Sequence, residues 1–373
     1  MDRKLALVVL AAGCSFQAHS ASIDGTAGGD DDAPIIGDGS GGEQVHRIDV
    51  VGTVTGGPHA DFPVLVSIAE SWLRDAASGG VVTSSAGYDI RFFGDAAGTT
   101  RLSYEVERYT PATGELVAWV KLPQLATATS FYVRAGNAAI TASQEDVAGV
   151  WSAGFAGVWH LSGIAESTGI DATTESGATD SGDAAAKIAD GRTFNSAMLS
   201  AGNAVQVTDA FATGGTAEAW VFATGGGGGG FGRIFDKGPS YMVLSTCETS
   251  VTNSVLFGRT FTGSPGDWCS GANSLPASTW THVAVTFDDR SASNLPTIYI
   301  NGAAVPLGST TAPAGTAYSD GAGTLTIGDR TSTGRAFAGT LDELRLVRTI
   351  RTAGWIATEY ANQVDPAGFL HVN

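Results

Sequence analysis

Hydrophobic and polar residues alternate along most of this chain in short runs, and glycine, aspartate, threonine and proline break the runs. That is the period-two signature of antiparallel strands. In "HADFPVLVSI" the side chains of Phe62, Val64, Val66 and Ile68 share one face. "LSYEVERY" sets Leu102, Tyr104 and Val106 against Ser103, Glu105 and Glu107, and "WTHVAVTFDD" puts Val283, Val285 and Phe287 on one side. "YDIRFFG", "LVAWVKLP", "SFYVRAGN", "AEAWVFAT", "LTIGDR" and "LDELRLV" read as further strands. "TIYINGAAVPL" reads as a hairpin, because Asn301-Gly302 is the strongest two-residue turn signal. Near the end, "RTAGWIATEYANQ" leaves this period. Ile356 and Tyr360 at i,i+4 give a short helix one packing face, Thr352 suits its N-cap, and the helix is placed to seal a sheet edge. The pattern predicts an all-β chain of antiparallel sandwiches with a short C-terminal helix.

Composition narrows this picture. The 373 residues leave room for about two domains, and a hydrophobic content of 43% can fill their cores. With 51 glycines and only 20 lysines and arginines, turns and β-branched residues outweigh helix formers. A net charge of −17 excludes nucleic acid as a partner, because that binding requires phosphates to be neutralised. It suits an exported surface or one that gathers divalent cations.

The chain opens "MDRKLALVVLAAGCSFQ", a positive start followed by a short apolar run. The run is far below the roughly 20 residues of a spanning helix and reads as an export signal. "LAAGC" resembles the lipobox of bacterial lipoproteins, which makes residues 1–14 a signal peptide and Cys14 the lipidated residue. Ordinary secretion with cleavage after Ala18–Ser20 is the alternative. Ser15 in place of aspartate after the cysteine favours the outer membrane or cell surface. If lipid takes Cys14, Cys247 and Cys269 are left as an even pair in an oxidising compartment. A disulfide between them contributes roughly 3 kcal/mol in the chain-entropy model. Residues 15–42 are rich in Gly, Ala, Ser and Asp and read as a flexible tether, with a reach of roughly 30 Å.

Two family resemblances sit on these strands. Asp61–Val66, Asp89–Phe92, Asp95–Thr99, Tyr104–Glu107, Trp119–Pro123 and Gly136-Asn137 resemble, in order, the bacterial domain of unknown function numbered 2341. This implies a β-sandwich over 43–140, although the family's usual opening is reduced here to "VHRIDV", and a linker over 141–156. "VWHL", "EAWV", "WTHVAVTFD", "YINGAAV", "LTIGD" and "FAGTLDELRL" resemble the laminin-G-like, concanavalin A-like jelly roll of bacterial surface proteins, over 157–363. The run Gly225–Gly230 departs from it as a loose loop, and 364–373 is a tail.

Candidate chemistry starts at Asp342. In a regular strand it shares a face with Leu344 and Leu346, while Glu343 and Arg345 face away, so the two carboxylates cannot act together. The jelly-roll resemblance implies a structural Ca²⁺ at Asp342, with Asp171 as a second ligand and Glu166 in competition. The alternative is an Asp342 that accepts backbone N–H groups. Glucanases of this fold carry an E-x-D-x-x-E string, and none occurs here; Glu105 and Glu107 share a face in the other domain and are expected to face solvent. His160 and His282 lie in family-typical strands and read as packed, hydrogen-bonded residues. Trp119, Trp159, Trp220 and Trp280 read as core, while Trp268, in a loop stiffened by the disulfide, is the candidate for sugar stacking. The resemblance therefore implies a non-catalytic module at the outer membrane or cell surface, held to the membrane through its lipid anchor alone. Its partner would be an extracellular or cell-wall carbohydrate or a surface protein. A structural role in the envelope and a glucanase are the alternatives.

Overall fold

The computed structural model describes residues 42–169, 174–176, 182–238, 241–332 and 334–373. Cys14, the signal, the tether and Asp171 lie outside them. The first sandwich begins with β1 (Gln44–Val50), β2 (His59–Ala69) and β3 (Arg91–Phe93), followed by β4 (Tyr104–Thr110), β5 (Glu115–Leu125) and β6 (Ser130–Ala135). Helix α1 (Val147–Val150) leads into β7 (Phe155–Trp159), β8 (Thr174–Ser176), β9 (Gly182–Ala185), β10 (Asp190–Phe194) and β11 (Met198–Ser200). Next come β12 (Gly215–Ala223), β13 (Arg233–Lys237), β14 (Met242–Thr246), β15 (Val255–Arg259) and β16 (Gly266–Ser270). The strands β17 (Thr281–Phe287), β18 (Thr297–Ile300), β19 (Ala303–Val305), β20 (Leu307–Thr311), β21 (Leu325–Ile327) and β22 (Gly339–Val347) complete the second sandwich. The chain closes with α2 (Ala353–Val364), α3 (Pro366–Phe369) and β23 (Leu370–Val372).

In the first sandwich, a sheet ordered β23-β1-β6-β3 packs on a sheet ordered β2-β5-β4. The alternation in the sequence predicts the inner face: Phe62, Val64 and Val66 join Ile48, Phe92, Tyr104 and Phe131 in one core. The second sandwich is the jelly roll, with two eight-stranded antiparallel sheets. One runs β19-β18-β17-β12-β22-β10-β9 with β7 paired to β22, and the other runs β20-β16-β15-β14-β13-β21-β11-β8. Their shared core holds Trp159, Phe211, Val283, Val285, Phe287, Leu341, Leu344 and Leu346. The hairpin lies where Asn301-Gly302 places it, with both residues at positive φ between β18 and β19.

The two sandwiches share a buried seam, where Leu65, Val117 and Trp119 meet Val150, Trp151, Val158, Ile188 and Trp220. Residues 141–156 are therefore no free linker, since they supply α1 and the buried Trp151. Nor is 364–373 a tail. β23 pairs with β1, Ile48 opposite Val372 and Val50 opposite Leu370, and so completes the first sandwich's sheet. Between them α2 is capped by Thr352, whose side chain accepts from the Trp355 amide. Its Trp355 and Ile356 enter the first core. Asn362 satisfies both backbone groups of Leu65, and Gln363 accepts from Trp220 Nε1 at 2.6 Å. The predicted edge seal is thus a clasp between domains. No helix among the described residues is long and apolar enough to cross a membrane.

Candidate functional site

A half-open groove of about 320 Å³ lies on the outer face of the β13–β16 sheet, opposite the seam sheet. Strand alternation builds it. In β14 and β15, Met242, Leu244, Val255 and Phe257 point into the core, which turns Val243, Leu256 and Gly258 outward as the groove floor. In β16 the same alternation buries Trp268 and presents Asp267. The Cys247–Cys269 disulfide packs with Val243 and Leu256 and ties β16 to the end of β14 on this same face.

Polar groups converge above that floor. Arg335 stacks its guanidinium over Phe231, 5.2 Å from the ring centre, and donates to the carbonyls of Gly228 and Gly229 at 3.2 Å. Arg233 is held through Nε by Asp236 at 2.9 Å. Arg259 is fixed by Asp289 and by the Tyr241 and Tyr318 carbonyls, so it serves as wall rather than reach. The Asp267 carboxyl forms no hydrogen bond with the described residues; burial pushes its pKa up, and Arg233 partly offsets this. The Gly225–Gly230 run is not loose. Gly228 N donates to Ala336 O at 2.9 Å, and a side chain at Gly227 or Gly228 would strike the 334–336 backbone, which explains the glycines there.

Trp268, expected in a loop as the stacking residue, lies in β16 with none of its surface exposed, 5.2 Å from Phe287. It is core. The residue beside it, on the other side of the pleat, is the one that faces the groove.

Asp342 brings the second correction. β22 carries a bulge: Glu218 pairs with Arg345 and Trp220 with Asp342, so Ala219 alone faces Glu343 and Leu344. Glu343 takes φ +51° to make it. Leu341, Leu344 and Leu346 therefore share the core, while Asp342, Glu343 and Arg345 all face the seam. Asp342 does not share a face with the leucines, and the neighbouring carboxylates do not point apart. Asp342 Oδ2 accepts from the Ile188 amide at 2.8 Å. Glu166, the competing ligand, binds the Val158 and Thr168 amides at 2.8 Å.

Glu105 and Glu107 do not face solvent either, because the first sandwich docks through them. His160 stands 2.6 Å from Glu343 Oε1, 3.1 Å from Glu105 Oε2 and 3.7 Å from Glu107 Oε2. Arg345 bridges Glu343 at 2.6 Å and Glu359 of α2 at 2.5 Å, its guanidinium 4.2 Å from the Trp119 ring centre. Burial alone would lower the His160 pKa, but Glu343, Glu107 and Glu105 outweigh it and hold it well above its usual value. Burial and the charge of Glu343 push Glu107 up to about 8. Burial also drives Asp342 and Glu218 well up, helped by Glu343 and by Glu359 respectively. His160 and Arg345 thus favour the charged forms of Glu105 and Glu343, while burial disfavours the charged forms of Glu107, Asp342 and Glu218. His282, the other histidine, is buried against Trp220 and Tyr360. The sequence missed this cluster because its members come from both domains.

Fold and groove define a tandem of two docked β-sandwiches, the second with an open concave site on its free sheet. Residues 86–158 match the model of a domain of unknown function, DUF2341, and residues 180–357 match that of the Concanavalin A-like lectin/glucanases superfamily. The chain carries these two domains in that order. No curated protein matches it. Among solved structures, the binding domain of Paraclostridial Mosquitocidal Protein 1 aligns at 11% identity and TM-score 0.43, over 56% of this chain and 51% of that one. The binding domain of Botulinum Neurotoxin DC, in complex with SialylT, aligns at 12% and 0.41, over 56% and 52%. Domain 4 of AbnA, an arabinanase from Geobacillus stearothermophilus in complex with arabinotriose, aligns at 16% and 0.36, over 56% and 98%. The chain spans about half the length of the first two, and no ligand carries over from likenesses of this depth.

Proposed function

We propose that this protein is a non-catalytic binding protein of the cell surface, and that the groove on the β13–β16 sheet takes carbohydrate. The observation that carries this reading is the groove's construction. It has an apolar floor made rigid by a disulfide, an aromatic ring backed by a guanidinium, and a carboxyl and two arginines converging on one volume. Sugars offer apolar ring faces and hydroxyls that match such a surface. Hydrolysis of a glycosidic bond calls for two carboxyl groups, and Asp267 is the one carboxylate among the lining residues. Export with an anchor at Cys14 belongs to this reading, and a disulfide suits an oxidising compartment.

The test is calorimetric titration of the full chain with neutral and uronic acid oligosaccharides, in Ca²⁺ and in EDTA. Asp267→Asn and Arg335→Ala should each weaken binding by roughly tenfold or more, about 1.4 kcal/mol for a lost polar contact. Binding that survives both substitutions places the ligand elsewhere. If no sugar binds, the envelope spacer becomes the better reading.

A further inference from the structure

The seam contains a set of side chains with the make-up of a metal site. Glu107, His160 and Glu343 bring one ligand atom each within 4.8 Å of one another. They come from β4, from the residue after β7, and from the β22 bulge. Each is oriented by a partner of its own. His160 Nε2 lies 3.1 Å from Glu105 Oε2, Glu343 Oε2 accepts from Arg345 Nη2 at 2.6 Å, and Glu107 Oε2 accepts from Trp119 Nε1 at 3.0 Å. His160 Nδ1 and Glu343 Oε1 face each other at 2.6 Å, and Glu107 Oε2 stands 3.7 Å from the same nitrogen. Glu107 Oε1 has no hydrogen-bond partner, although the side chain is only 2% exposed. A buried carboxyl oxygen left without any partner is costly. Metal ligands are held in this way, a histidine by a carboxylate on its other nitrogen and a carboxylate by hydrogen bonds of its own.

We propose that Glu107, His160 and Glu343 bind one divalent transition cation of the zinc class across the two sandwiches. The imidazole nitrogen sets the class, because calcium takes six to eight oxygens whereas zinc takes one imidazole and two carboxylates readily. The cation binds the Glu107 carboxyl, which has an oxygen to spare, and takes the place of the direct contact between His160 and Glu343. Since β4 belongs to one sandwich and β7 and β22 to the other, it pins the domains together.

The test is zinc itself. The full chain is dialysed against ZnCl₂, desalted, assayed by mass spectrometry for bound metal, and crystallised for anomalous diffraction at the zinc edge. Stoichiometric zinc is expected, with an anomalous peak bounded by the three side chains. Glu107→Gln keeps an acceptor for Trp119 and should lose the zinc. Glu105→Gln, which touches the three ligands only through His160, should weaken binding 10–100-fold. A wild-type chain that retains no zinc, a peak at any other position, or a folded Glu107→Gln that binds zinc as before overturns the proposal. Should Glu107→Gln fail to fold, the wild-type anomalous map decides alone.

Discussion

One backbone angle sorts the side chains of β22. The left-handed turn at Glu343 costs roughly 1–3 kcal/mol for a residue with a Cβ. It is held by what the turned side chain reaches, His160 on one oxygen and Arg345 on the other. Elsewhere in the same layer, burial lowers the pKa of His282 from 6.5 to about 4, with Glu359 opposing and Arg345 assisting. The folded ring stays neutral while the unfolded one takes a proton below about 6.5. Stability from this site, roughly 3 kcal/mol, is present at neutral pH and lost as pH falls from 6.5 to 4. Urea midpoints of wild type and His282→Gln at pH 7, 5.5 and 4.5 should converge toward the acid end; parallel curves would remove His282 from the account. At this scale the sequence was half legible. Leu341, Leu344 and Leu346 cannot share a face in an unbroken strand, so their spacing already holds the bulge, and reading the alternation forward from Asp342 alone hides it. The choice of Trp268 failed by one residue, because the aromatic fills the core while Asp267, on the opposite side of the pleat, reaches the groove.

Elements were easier to read than their neighbours. The strands, the hairpin at Asn301-Gly302 and the cap at Thr352 follow from local periodicity and turn chemistry. What α2 and the last residues pack against depends on pairing across the whole chain, which no local pattern encodes. β23 makes this concrete. Phe369 and Leu370 are 2% and 4% exposed, and Val51 and Gly52 donate to the Phe369 carbonyl at 3.0 Å. Ending the chain at Val364 removes this burial and one rung of the sheet, a loss of roughly 4 kcal/mol at 1.5–3 kcal/mol per large apolar side chain. The urea midpoint should fall accordingly, and the amides of Val51 and Gly52 should exchange with solvent far faster. An unchanged midpoint would mean that β23 is decoration.

Across the whole molecule, the seam makes two sandwiches behave as one body. Arg345 of the jelly roll lies against Trp119 of the first sandwich and bonds Glu343 of its own strand and Glu359 of the clasp helix; removing Arg345 would leave both buried carboxyls without that cation. Calorimetry should therefore give a single transition, with calorimetric and van't Hoff enthalpies in agreement. Two resolved transitions would show that the domains melt independently and that the seam is a weak contact. Fold class was readable from sequence because periodicity is a property of segments. The docking was not, since solvent-facing and seam-facing glutamates such as Glu105 and Glu107 look alike in a strand pattern.

The pairing of β1 with β23 also sets an order of events at the ribosome. β1 is among the first strands to be made, but one of its two neighbours is made more than three hundred residues later. Until then one edge of β1 stands open, and the loop to be closed is nearly as long as the folded body. Contacts so distant in sequence slow folding. The first sandwich is consequently finished last, and a chain stalled anywhere in the jelly roll presents an open strand edge to whatever waits to bind one.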